Sequence, residues 1–283
     1  MRICRFNNNR LGLVRGDLVV DVTPALDLLP SYRWPLPYGD PLIAHLDMVG
    51  RRAEEIAASR PALPLAEVTL LSPIANASKI IAAPVNYLKH ADEARADRAI
   101  NFGADIKAID QYGLFLKSNT SVIGAGERVK LPKIDRRMDH EVEVAAVIGR
   151  ECYHVAREQA LDMICGYTIA LDMSVRGPED RSWRKSYDTF SVLGPWLVTP
   201  DEIGDSGNLD LSLTVNDEPR QRSNTRALIF DIPKLIVYAS QAYRLYPGDV
   251  IMTGTPEGVG PVAPGDVMTC FVENIGSMRV TVE

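Results

Sequence analysis

Cysteine is scarce. Cys4, Cys152, Cys165 and Cys270 are the only four in 283 residues, and no two form a C-x-x-C pair. That scatter excludes a disulfide framework and a thiolate zinc site, so the thiols read as reduced, buried spectators of a cytoplasmic protein. Long apolar runs are missing as well. No segment approaches the roughly 20 apolar residues that span a bilayer, and residues 1–17 carry no signal-peptide core. Neither a membrane nor secretion is expected. Basic residues form no long run, RSWRK at 181–185 being a local cluster, and the formal charge is −6. Nothing here draws the chain to nucleic acid or an anionic lipid surface. What is present, 46% apolar and 24% charged residues, is ordinary for a globular protein, and the length suits one to two domains.

The pattern along the chain indicates an α+β fold. Residues 1–30 read as short strands with turns at Gly12 and Gly16. Leu42, Ile43, Leu46, Val49, Ala53 and Ile56 recur at helical spacing across 40–60. The proline-punctuated stretch 60–73 is a connection, and a boundary near Pro73 divides a small N-terminal α+β domain (1–72) from a larger domain (73–283). In the latter, NASKIIAAPVNY, FLKSNTSVIGAGERVKLP, VEVAAVIG, CGYTIALDM and FSVLGPWLV read as strands. Helices are expected from an N-cap at Asn86, over 155–165, and over 232–245. A hairpin is expected to turn at Asn216–Asp217, and the two Pro-Gly-Asp sequences at 247–249 and 264–266 are turns that feed strands.

The stretch RRMDHEVEVAAVIGR (136–150) raises a chemical question. Glu141, Glu143, Ala145 and Val147 share one strand face, while both faces turn apolar beyond residue 143. Two carboxylates therefore stand at the mouth of a buried strand, with Cα atoms about 6–7 Å apart. A solvated strand end would explain an isolated pair of this kind. Asp172, however, lies inside the apolar run CGYTIALDMSVRG, where a carboxylate is costly unless it is paired or binds metal. Arg176 could pair with it. Three clustered carboxylates would instead call for a hard divalent ion such as Mg²⁺, Mn²⁺ or Ca²⁺. His140 points to the opposite face and is left out of that set. In NYLKHADE, His90 and Glu93 share a helix face, either as an exposed pair or as a base that could take a proton from water.

Taken in order, NYLKHADE, FLKSNTSVIGAGERVKLP, HEVEVAAVIGR, GYTIALDMSVR, RKSYDTFSVLGPWLVTPDEI and PGDVIMTGTPEGVG resemble the motif series of the fumarylacetoacetate hydrolase family, in its shorter single-chain branch. The resemblance runs from about residue 79 to the C-terminus. It implies a mixed β-sandwich or roll with flanking helices, and homodimers. It implies that Glu141, Glu143 and Asp172 hold Mg²⁺ or Mn²⁺, that His90 and Glu93 activate water, and that Lys185 contacts substrate and metal-bound oxygens. Arg176 matches a substrate-pocket arginine, while Lys117 and Thr255 lie in pocket motifs.

The implied substrate is a small 2-oxo acid. The implied reaction is C–C hydrolysis of an acylpyruvate through a metal-stabilised enolate. Oxaloacetate decarboxylation, 2-oxo diacid isomerisation and sugar-acid dehydration are alternatives on the same site, and a non-catalytic metal-binding protein is a rival of another class. Two departures bear on substrate. Leu171 replaces a frequent asparagine, and Glu179 replaces a pocket glutamine, where it is expected to pair with Arg181 or Arg184 or to alter which substrate end is accepted. TGTPEGVG (253–260) lacks the Lys-Ser/Thr of a nucleotide loop and reads as a turn beside the pocket.

Overall fold

A computed structural model describes all residues 1–283. Its centre is three antiparallel strands, Val142–Ile148, Ile164–Asp172 and Ser191–Val198, almost wholly buried on both faces. They sit in a 12-stranded sheet. On one side of the trio, the sheet continues through Val250–Met252, Ile80–Ala82 and Phe115–Lys117. On the other, Arg2–Phe6 pairs with Ser191–Val198, and Arg10–Arg15, Leu18–Asp21 and Ala62–Pro64 follow. The N-terminal strands thus extend the same sheet.

Strand alternation divides the interior in two. Val142, Val144, Ala146 and Ile148 face a core shared with Leu211, Leu213, Met268 and Cys270 of a second, five-stranded sheet. Ala145 and Val147 face a second core shared with Ile43, Leu46, Val49 and Ala53 of the N-terminal helices. The α+β expectation, sheets with flanking helices, holds. The hairpin holds too: Asn216 and Asp217 both have positive φ (52° and 67°) between Asp210–Val215 and Glu218–Asn224, as a two-residue turn requires. No helix is long and apolar enough to cross a membrane.

The helices differ from expectation in informative ways. The helix read over 40–60 is broken at His45 into Pro41–Ala44 and Leu46–Ala57. Over 155–165 there is no α-helix: two 3₁₀ turns, Arg157–Gln159 and Leu161–Met163, lead into the strand that starts at Ile164. Only Ala160 is fully buried between 155 and 163, so no apolar stripe exists to stabilise a helix. Ile164 instead pairs with Ile148. The supposed 60–73 connection contributes two short strands, Ala62–Pro64 and Leu70–Leu71.

Asn86 is not an N-cap. The helix runs Leu88–Ala96 behind Tyr87. The buried Asn86 amide group donates to the carbonyls of Phe230 (2.9 Å) and Thr253 (2.8 Å), and its oxygen accepts from the Phe230 amide (2.7 Å). It ties the base of this helix to two remote loops. Asp40 plays a similar part elsewhere. Its carboxylate caps the first helix through the amides of Leu42 (2.9 Å) and Ile43 (3.4 Å), and accepts from those of Ala75 (3.0 Å) and Asn76 (2.9 Å).

Two stability predictions follow from these hubs. Asp40→Ala removes a cap and strands two loop amides, and should lower the unfolding free energy in urea by about 2 kcal/mol or more. Asn86→Ala leaves three buried backbone groups without partners. It should cost about 2–4 kcal/mol and, in hydrogen exchange, reduce protection first in residues 88–96. Uniform loss of protection across the central strands would contradict that assignment.

Candidate active site

The antiparallel register builds the site. Val142 lies opposite Leu171 and Glu143 opposite Ala170, so the start of one central strand meets the end of the next. The Asp172 amide donates to the Glu141 carbonyl at 2.9 Å. Ligand atoms of Glu141, Glu143 and Asp172 then lie within 4.8 Å of one another, all three residues buried. Like charges this close inside a protein repel strongly unless a cation intervenes.

Cations of the chain crowd the cluster. Lys185 Nζ donates to Glu141 Oε2 (2.7 Å) and Asp172 Oδ2 (2.6 Å). Lys117 Nζ, on the far side of Asp172, donates to its Oδ1 and to the Phe190 carbonyl. Arg176 places Nη2 at 2.8 Å from Glu141 Oε1 and donates from Nε to Asp139 Oδ2 at 2.7 Å. Burial raises the affinity of the Glu141 carboxyl for its proton, but Lys185, Arg176 and His90 together outweigh it and hold the group far below the carboxylate range. Glu143 goes the other way. Burial, then the charge of Asp172, lifts it well above that range, against the pull of Lys185 and the Gly254 amide, which donates to Oε2 at 2.6 Å. Burial also lowers Lys117, partly offset by Asp172. Gly254 adopts φ +99°, and a Cβ there would stand 2.7 Å from that of Asn86. Only glycine lets this amide reach Glu143.

Over the carboxylates lies helix Leu88–Ala96. His90 is buried and its Nδ1 is 2.9 Å from Glu93 Oε2, while Glu93 Oε1 accepts from the Gly258 amide, also at 2.9 Å. With Nδ1 engaged, Nε2 is the free ring nitrogen. A cavity of ≈ 40 Å³ is lined by His90, the carboxylates, Arg176, Arg184, Lys185 and Thr255, with Val85, Ala94, Ile100 and Ile106 as its apolar wall. That is room for a few waters, so a substrate must displace the cover or the side chains.

Nine of the ten residues singled out from the sequence converge here: Glu141, Glu143, Asp172, His90, Glu93, Lys185, Lys117, Arg176 and Thr255. The Thr255 hydroxyl donates to the Val142 carbonyl (2.9 Å) and accepts from Gln221 Nε2 (2.8 Å), so it braces the loop beside the strand. Glu179 does not converge. It forms a two-pronged pair with Arg136 (2.8 and 2.7 Å), not with Arg181 or Arg184, and does not line the cavity. His140 is turned away, its Nδ1 on Gln221 Oε1 at 3.1 Å. Sequence reading missed Asp139, which is fully buried between Arg137 and Arg176. Its even spacing with Glu141 and Glu143 was the available signal. Arg184, read only as a possible partner of Glu179, also lines the cavity.

The donor set suits a divalent ion. Three buried carboxylates offer hard oxygen ligands, and burial and the charge of Asp172 lift the Glu143 carboxyl well above its usual range, which a cation among the three would counter.

Comparison with known proteins agrees with the geometry. The family described as fumarylacetoacetate (FAA) hydrolase C-terminal matches residues 79–283. A maleylpyruvate hydrolase of Aquipseudomonas alcaligenes is 55% identical over 284 residues, covering 100% of this chain and 99% of that protein. The mitochondrial oxaloacetate tautomerase Fahd2a of Rattus norvegicus is 36% identical over 81% of this chain and 73% of its own. Among solved structures, maleylpyruvate hydrolase from Sphingobium sp. SYK-6 in complex with manganese(II) and pyruvate superposes with a TM-score of 0.84 at 39% identity, covering 100% of this chain and 98% of that one. The chain belongs to the fumarylacetoacetate hydrolase family.

Proposed function

We propose that this protein is a divalent-metal-dependent hydrolase that cleaves an acylpyruvate to pyruvate and a carboxylic acid. The observation that carries the reading is one cavity holding three buried carboxylates within 4.8 Å of one another and, over them, a histidine oriented by a glutamate. Similarity to maleylpyruvate hydrolases over the full chain supports it. Glu141, Glu143 and Asp172 are the ligands. Mg²⁺ is the ion proposed, with Mn²⁺, named with the related structure, able to take its place.

A bound ion would supply Lewis-acid polarisation of the 2-oxo acid end. The chain's own groups do the rest. Glu93 fixes the His90 ring through Nδ1, leaving Nε2 to take a proton from water. The hydroxide equivalent attacks the distal carbonyl carbon. Lys185, its amine already aimed at the carboxylates, is placed to donate to the oxygen that becomes negative. The bond between the attacked carbon and the pyruvate methylene then breaks. Its electron pair passes to the pyruvate fragment as an enolate, which is protonated on carbon. One water is consumed and two acids leave. Arg176 and Lys117 hold Glu141 and Asp172 in register, and Thr255 holds the loop. Residues 1–72 serve as an accessory to the 73–283 catalytic unit, and the protein acts as a homodimer, as the family likeness implies.

The similarity to an oxaloacetate tautomerase favours a second reading, in which the site isomerises or decarboxylates a 2-oxo diacid without water attack.

NMR of products separates the two. With Mg²⁺, an acylpyruvate should yield pyruvate and a carboxylic acid in equal amounts, and EDTA should stop it. Glu141→Ala and Asp172→Ala should fall to background, and metal-dependent turnover surviving in either sinks the proposal. His90→Ala should lose about 10²–10⁴-fold in kcat. Turnover of oxaloacetate alone, indifferent to that substitution, would establish the second reading.

A further inference from the structure

A line of ion pairs runs from the carboxylate cluster to the segment above it. Arg176 Nη2 stands 2.8 Å from Glu141 Oε1. Arg176 donates from Nε to Asp139 Oδ2 at 2.7 Å. Asp139 takes Arg137 on both oxygens, Nε on Oδ1 at 2.7 Å and Nη2 on Oδ2 at 2.8 Å. The remaining arm, Arg137 Nη1, donates to Asp97 Oδ2 at 2.9 Å. The sign of charge alternates from Glu141 to Asp97 without a break. Glu141, Arg176 and Asp139 are buried, and only Arg137 and Asp97 reach solvent. The backbone under the middle of the line is fixed. Asp139 lies opposite Ser174, and the Arg176 amide donates to the Arg137 carbonyl at 2.8 Å.

Little else holds the outer end. Asp97 follows helix Leu88–Ala96 and caps the next, Arg98–Asn101, through the Ala99 amide at 2.8 Å. No residue from 95 to 108 is buried, yet Ile100 and Ile106 of that stretch wall the cavity. Its other hydrogen bonds and ion pairs stay within residues 88–112, so Arg137 is its one polar tie to the body of the protein.

The links are unequal. Asp139 Oδ2 is shared by both arginines, so what Arg176 gives to Asp139 weakens the hold of Asp139 on Arg137. Arg176 Nη2, although close to Glu141, lies off the hydrogen-bond line and is buried without such a partner. This inner link is held by charge alone and is the one most sensitive to added charge. A cation on Glu141 would weaken it. Arg176 would then turn to Asp139, and Arg137, less tightly held there, to Asp97. Asp97 already senses the line. Burial raises the affinity of its carboxyl for a proton, but the Ala99 amide and Arg137 outweigh this, and Arg176 adds to the effect from further along.

We propose that Arg137 and Asp139 are positioning residues that couple the metal site to the segment above it: a divalent cation on Glu141 strengthens the Arg137–Asp97 pair and so fastens the stretch 95–108 over the cavity. The inference rests on the reading given above, in which Glu141, Glu143 and Asp172 hold a divalent ion. Coupling of this kind is reciprocal, so fastening the stretch also raises affinity for the ion.

Hydrogen exchange and calorimetry with Mg²⁺ test this without any turnover. In wild type, Mg²⁺ in place of EDTA should slow exchange of the amides of residues 99–102 about fivefold or more. Asp97→Asn keeps the oxygen that caps Ala99 and removes the charge. It should abolish the Mg²⁺-dependent slowing and weaken Mg²⁺ binding by the same factor. Arg137→Met should do likewise, and Asp97→Glu should recover part of both. A slowing that survives in Asp97→Asn and Arg137→Met, even if their exchange is faster throughout, would make the pair a prop and overturn the inference. So would a wild type that binds Mg²⁺ with no change in exchange at 99–102, which would leave the metal site standing. A wild type that binds no divalent cation would remove the metal site and the coupling together.

Discussion

The structure depends on the enforced proximity of three carboxylates at the open ends of two neighbouring antiparallel strands. The pairing of Val142 with Leu171 cannot slip by one residue without sending every side chain of a two-faced buried strand into the wrong core. The hydrophobic interior therefore holds Glu141, Glu143 and Asp172 together against their repulsion. Each buried charge demands a counter-charge, and the surroundings are arranged around that demand. Lys185, Lys117 and Arg176 converge from three different segments, and Asp139 in turn neutralises Arg176 and Arg137.

This frustration makes the site receptive. Glu141 is over-supplied with positive neighbours, while Glu143, with Asp172 beside it and fewer cations, is reluctant to ionise. Glu141, Glu143 and Asp172 would hold a divalent ion, whose charge would offset the imbalance that Lys185 now meets by bridging Glu141 and Asp172. The cationic surroundings serve the metal-free protein and an anionic substrate by the same means.

Much of this was legible in the amino-acid order, because the relevant periodicities are short. Period-two alternation placed Glu141 and Glu143 together, and a carboxylate inside an apolar run marked Asp172. Turn chemistry located Asn216–Asp217. What failed depended on distant partners. Asn86 has the side chain of a cap, but the backbone groups of Phe230 and Thr253 compete for it and win. Residues 155–165 have helix-forming composition, yet Ile164 gains more from the sheet. Glu179 finds Arg136 across 43 positions of sequence. Arg184 was invisible as a site residue because a buried unpaired cation and a solvated one look alike in one dimension.

Glu93 divides its two oxygens between the His90 ring and the Gly258 amide. The carboxylate that would aim the proposed base is thus also a clasp between helix Leu88–Ala96 and the loop at Gly258. Were the helix to lift, the imidazole would lose the clasp that fixes its orientation along with its enclosure. An opened site would hold an undirected histidine, so in the proposed mechanism the position of the helix and the aim of the imidazole would change together.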